Sequence, residues 1–346
     1  MIIVTDSNGI DVRSILYKEY DFEIGDFENS FLVTCNRAEW ETIQDGARIY
    51  IPGTEYGGIF KRLESDTKNG TVAAGGFTWR GMLQNKVICP PAGQDYATDS
   101  GELNTIIDAR VRAAFPGLFV GSPYSTGITV NYQYNRYVTL YQGLKDMLKS
   151  VGYKLYIHYD QYQKKAVVEA VPIVDYSETI EYSSDMNANY NMKMEGTGVN
   201  HLICLGSGEL KNREVVHLYV DENGDISQTQ YYTGADEIAQ IYDYAGASTD
   251  DLIQSGIRQL MDLRDNNSFS IELDTVEGVG IGDIVGGRDY VTGKKMTAPI
   301  TTKIVSWRNG FQTTEYKLSD DVNIEQVSTG LRAMKSLPKK AGEKLR

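Results

Sequence analysis

The sequence predicts an α+β protein that is mainly β, in which an α+β unit is set between two stretches of antiparallel strands. Three observations lead there. Short apolar runs broken by turn residues fill residues 2–88 and return after about 198, as strands of half-buried sheets do. Apolar residues recur at helical spacing in three places, two of them inside 91–190. The Asn223-Gly224 pair between two apolar runs is a strong hairpin signal, because both turn residues must take positive φ. At 346 residues the chain exceeds the roughly 100–200 of one domain, so two or three packed units are expected.

In the first β unit, residues 1–90, strands are expected at 31–34, 47–51 and 57–60. Ile49 and Ile51 fall on one face and Arg48 and Tyr50 on the other, and Lys68-Asn-Gly70 supplies a turn. After Pro90-Pro91 the period changes. Leu103, Ile106, Ile107, Val111 and Ala114 predict a helix capped by Ser100 and ended by Pro116-Gly117. Leu140, Leu144, Met147, Leu148 and Val151 predict a second, with Gly152 at its C-terminal cap. Runs at 153–159 and 166–174 around a polar loop predict a hairpin packed on those helices. This inserted unit spans 91–190.

Residues 191–220 are expected to complete the first β unit, and 221–322 to form a second small barrel with one helix at about 249–265. Strands there fall at 226–232, 269–273, 283–285, 301–307 and 313–318; the helix takes Ser248 or Thr249 as its cap and turns Leu252, Ile253, Ile257, Leu260 and Met261 to a core. Residues 323–346 form a basic tail: after Leu331, six basic residues face one acidic residue, Glu343, a local charge of +5.

The formal charge of −13 argues against a surface that grips nucleic-acid phosphates, which needs clustered Lys and Arg. Cys35, Cys89 and Cys204 are odd in number and far apart, so they read as small buried apolar residues of a reducing compartment. The N-terminus has no signal-peptide pattern, and no run approaches the roughly 20 apolar residues of a membrane span. The 24 Tyr, against 9 Phe and 3 Trp, suit half-exposed strands and subunit contacts.

Motifs that could carry chemistry are weak. Gly278-Val-Gly-Ile-Gly-Asp283 and Leu205-Gly-Ser-Gly208 do not open a helix as a phosphate loop does, and tight turns account for the first. Asp221, Asn223 and Asp225 begin like a calcium loop, yet the required following glycine and distal Glu are missing. His158, His201 and His217 lack metal-ligand spacing, and Gly206-Ser207-Gly208 lacks the outer glycines of a nucleophile elbow. A paired-carboxylate hydrolase would need one acid in an apolar pocket beside a groove, and no segment announces one. The expectation is a non-enzymatic chain with no cofactor and no metal.

Phe77-Thr-Trp-Arg-Gly-Met-Leu-Gln-Asn-Lys-Val-Ile88, then Pro90-Pro-Ala-Gly-Gln-Asp-Tyr96, then Val199-Asn-His-Leu-Ile-Cys-Leu-Gly-Ser-Gly-Glu209, occur in an order that resembles the tail-hub proteins of phages and prophages of Gram-positive bacteria, a family related in plan to the trimeric hub of contractile tails. The resemblance runs from about 21 to 318. It implies a homotrimer in which each chain contributes two small tube-type β-barrels, so that three chains form a pseudo-sixfold ring on a sixfold tail tube. It further implies a place at the distal end of a virion tail made in the host cytoplasm. The implied partners are the tail tube or distal tail protein, the tape measure protein, and a spike, fibre or receptor-binding protein. Larger members add receptor-binding or peptidoglycan-degrading regions C-terminally, which are not expected of a chain ending at Arg346. Arg332, Lys335, Lys339 and Lys340 are the candidate residues for docking an acidic partner; a cell-wall hydrolase and a carbohydrate-binding tail-tip protein, with Tyr as stacking platforms, are the alternatives.

Overall fold

The structure, a computed structural model, describes residues 1–15, 17–40, 46–177, 181–182, 189–193, 198–222, 224–264, 268–273, 278–289, 294–319 and 323–326. It is α+β and mainly β. Strand Tyr17–Gly25 shows why: Tyr20, Phe22 and Ile24 alternate inward with Glu19, Asp21 and Glu23 outward, the period of a half-buried strand. It pairs with Ser30–Asn36, and outward from there follow Thr71–Thr78, Gly57–Asp66, Arg48–Tyr50, Ile2–Thr5 and Asp11–Ile15, each antiparallel to its neighbour. The turn at 67–70 between two of these strands is the expected one, with Gly70 at φ +65°.

On its other side Tyr17–Gly25 pairs with the 15-residue strand Lys294–Arg308, in the register Thr302 to Gly25 through Trp307 to Tyr20. That strand pairs with Phe311–Leu318, which pairs with Ser268–Leu273 and then Asn189–Lys193. Its first half pairs instead with Ile284–Asp289 and Asn323–Gln326. The early and late β stretches are thus one continuous sheet, whose order among the described residues is an open path. Two cores lie along it, one around Phe22, Phe31 and Ile49, the other around Met296, Ile300 and Tyr316.

Residues 201–220 do not pair with the first β unit. His201–Leu205 pairs with Val215–Val220 and, in parallel, with Ala239–Asp243, making a separate four-stranded sheet covered by helix Thr249–Leu263. Leu202, Cys204 and Leu218 bury against Leu252 and Leu260 and so form a core of their own. The expected strand at 226–232 is only Ile226–Ser227, and Met261 lies exposed because the stripe facing the sheet is Leu252, Gly256 and Leu260. Ser248 is the cap, accepting from Asp251 N.

In the inserted unit, helices Leu103–Ala114 and Leu140–Lys149 pack on the antiparallel pair Tyr153–Asp160 and Lys165–Pro172, to which Phe119–Gly121 adds in parallel. The first helix is capped by Glu102, not Ser100, because Ser100 is taken up in strand Thr98–Glu102, which pairs with Thr129–Gln133. The insert has no separate core: its apolar residues run on into Tyr50, Trp79 and Leu83. Arg48 and Tyr50, which the alternation puts on the face opposite Ile49 and Ile51, are buried under it. Arg48 donates to Tyr159 Oη (3.2 Å) and Lys164 O (2.6 Å), and Trp79 stacks on Tyr159 at 5.5 Å.

Candidate functional site at the junction of three segments

Arg332, Lys335, Lys339 and Lys340 lie outside the described residues. A charged cleft of about 580 Å³ opens where residues 53–56, the insert's hairpin and the 278–283 loop meet. Its floor is the glycine loop singled out in the sequence. Asp283, fully buried, accepts from Gly280 N (2.8 Å), Val174 N (2.9 Å) and Lys154 Nζ (2.5 Å). The loop therefore does cradle an anion, but the anion is the chain's own carboxylate. Gly282, at φ +91°, needs glycine for a second reason, since a Cβ there would meet Lys154.

Opposite, Glu55 accepts from Arg80 Nη2 (2.6 Å) and Ile157 N (3.0 Å), while Arg80 also donates to Leu155 O (2.7 Å). Lys303 stands between the rings of Tyr56 and Tyr316, 5.7 and 5.3 Å from their centroids, and donates to Val279 O at 3.5 Å. Burial pushes its pKa down, against the pull of Glu55. Each of the two carboxylates accepts from one cationic side chain and from backbone N–H groups. The carboxyl that burial raises, Asp146, sits on helix Leu140–Lys149 and does not line this cleft. What the arrangement does is lock three segments together through paired charges, with Arg80 Nε left buried without a hydrogen-bond partner.

The hairpin register brings together a pair that spacing did not reveal. His201 faces Tyr219 and Ile203 faces His217, so the two imidazoles share one face of the sheet. His201 Nε2 lies 2.8 Å from His217 Nδ1, His201 Nδ1 lies 2.5 Å from Glu237 Oε1, and Tyr219 stacks on His201 at 4.3 Å. The pair forms across the 206–214 turn, not across the Asn223-Gly224 turn that the sequence marks, so the strongest hairpin signal gave no sign of it. No group of three or more His, Cys, Asp or Glu gathers in metal-binding geometry among the described residues. Asp221 accepts from Asp225 N (2.9 Å), closing its own turn in the manner of a hairpin, and Gly206 and Ser207 bond to the backbone of Glu214 across another turn.

No protein-family model matches the sequence, and no curated protein matches it significantly. Solved structures do match in fold. The tail protein from Neisseria meningitidis MC58 superposes with a TM-score of 0.52 at 15% identity, over 92% of this chain and 96% of that one. The 43 kDa tail protein of prophage MuSo2 from Shewanella oneidensis superposes with a TM-score of 0.55 at 11% identity, over 92% of this chain and 98% of that one. The chain has the fold of these two tail proteins along nearly its whole length.

Proposed function

We propose that this chain is a structural hub at the distal end of a phage or phage-like tail, acting through shape and interfaces and not through catalysis. The observation that carries the reading is the fold shared, end to end, with two tail proteins. In this reading three copies close into a ring, each contributing two small barrels, so that threefold symmetry meets a sixfold tube. Two separate β cores joined through one long strand support the count of two per chain. A net charge of −13 suits a channel that DNA must leave, since like charges repel across roughly 10 Å. The ring joins the tube and tape measure proteins to a spike, fibre or receptor-binding protein.

Mass measurement in solution, with and without the tail-tube protein, tests the assembly. Trimers, or trimers that form on the tube, are expected; a chain that stays monomeric beside the tube protein, or clears Gram-positive cell walls in a zymogram, defeats the reading. The basic segment docks the next component. Deleting 331–346 should leave the unfolding transition unchanged and reduce tip attachment, and normal tip assembly by the truncated chain would remove this segment from the scheme.

A further inference from the structure

We infer that the cleft beside helix Leu103–Ala114 of the inserted unit binds an uncharged saccharide. The cleft holds about 450 Å³, within the roughly 300–1,000 Å³ of small-molecule sites. Its wall carries Tyr124, 78% exposed. That exposure does not come with freedom. Tyr124 N donates to Ser122 Oγ (3.4 Å), its carbonyl accepts from Asn104 Nδ2 (2.7 Å), and Asn104 Oδ1 accepts from Ala170 N (2.8 Å), which ties the loop to the central hairpin. A large ring on a fixed backbone gives contact area with little ordering to be lost on binding.

The groups around it suit hydroxyls. Arg112 commits its Nε to Asp108 (2.6 and 2.7 Å), which leaves the terminal guanidinium nitrogens of this half-exposed side chain for a ligand. Ser122, though largely buried, lines the cleft with its hydroxyl, and Gln163 lines it from the hairpin turn, where Asp160 holds the backbone N–H groups of Tyr162 and Gln163 (2.8 and 3.0 Å) and accepts from Gln163 Nε2 (3.0 Å), which leaves the amide oxygen for a ligand. A pyranose presents an apolar C–H face for such a ring and equatorial hydroxyls for planar amide, carboxylate and guanidinium groups. Charge selects among sugars: Glu102 and Asp108 outnumber Arg112, so phosphate-bearing and uronic polymers are disfavoured. The inference stands apart from the hub reading, since a sugar site on the insert needs no ring.

Saturation-transfer NMR on the full chain tests it, with maltotetraose and tetra-N-acetylchitotetraose as uncharged probes and a hyaluronan tetrasaccharide as the acidic one. Transfer to at least one uncharged probe is expected, weakened about tenfold by Tyr124→Ala, retained by Tyr124→Phe and weakened by Arg112→Gln. An unchanged thermal transition in each variant shows that the fold is kept. No transfer to either uncharged probe, binding indifferent to Tyr124→Ala, or preference for the acidic probe overturns the assignment.

Discussion

Arg80 is 3% exposed, and the carboxylate of Glu55 lies 2.6 Å from it, so each charge is tolerable only because the other is there. Removing one leaves the other stranded. Glu55→Gln is expected to lower the free energy of unfolding by about 3–5 kcal/mol, the range for breaking a buried pair. The double variant Arg80→Met with Glu55→Gln should lose clearly less than the two single losses together, as coupled residues do. Urea titrations of the four proteins read this directly, and additive losses would show that the pair is not coupled. Arg80 stands in a motif that drew notice for resemblance alone. Its burial was not legible, because Trp79-Arg-Gly carries nothing to say that an inserted unit will cover the strand beside it. Arg48 failed to read in the same way: an alternating strand shows which residues share a face, but not that both faces will be covered.

Helix Thr249–Leu263 places a glycine where propensity and packing disagree. An alanine at 256 would gain roughly 1 kcal/mol of helix propensity. Its Cβ, however, would come within 2.6 Å of Cys204 Sγ and 2.8 Å of Leu218 Cδ1 in a closed core, and overpacking of that kind costs about 1–3 kcal/mol. Packing should win. Gly256→Ala is expected to lower the denaturant midpoint, while Gln254→Ala, on the exposed face of the same helix, leaves it level or raises it. A higher midpoint for Gly256→Ala would mean that the sheet yields to the helix at little cost. The helix was legible in outline from Leu252, Ile257 and Leu260, but its depth of contact with the sheet was not. Met261 fits the same apolar stripe and lies outside it.

The tyrosines act at the scale of the whole molecule. The sequence reading placed them on half-exposed strands and subunit contacts, and the chain divides them. Tyr20, Tyr50, Tyr134 and Tyr141 are buried, Tyr96, Tyr124, Tyr137 and Tyr162 exposed. Burial pushes the hydroxyl of Tyr20 up to about 12, aided by Tyr17, and that of Tyr141 up to about 12 despite Arg80; burial also raises Tyr50, Tyr56 and Tyr134, with Asp11, Tyr316 and Asp99 adding to it. A group whose pKa is raised on folding contributes stability that is complete below its unfolded value, here 10.0, and is lost as pH rises through the folded value. Stability should therefore hold to about pH 10 and fall steeply towards pH 12. Tyrosinate absorbance and circular dichroism followed together should show the buried share ionising only as the fold is lost. Full ionisation near pH 10 with the dichroism intact would contradict their burial.

Element type and order were determined by the sequence itself: helices near 103–114 and 140–149, the hairpin of 153–172 and the alternating strands all follow from local periods of 3.6 and 2. What the tertiary structure alone decided is partnership. Strand Tyr17–Gly25 meets Lys294–Arg308 across nearly the whole chain, residues 201–220 join a separate sheet in place of the first unit, and His201 reaches His217 and Glu237 through register. The charged cleft was half legible. Its glycine loop was visible as a motif, but the Lys154 that pairs with Asp283 comes from an insert about 130 residues earlier, and Lys303 from a strand beyond it. A local pattern fixes which face a residue presents, whereas which surface covers that face depends on the closure of long loops and on the apolar area that two distant segments can bury together.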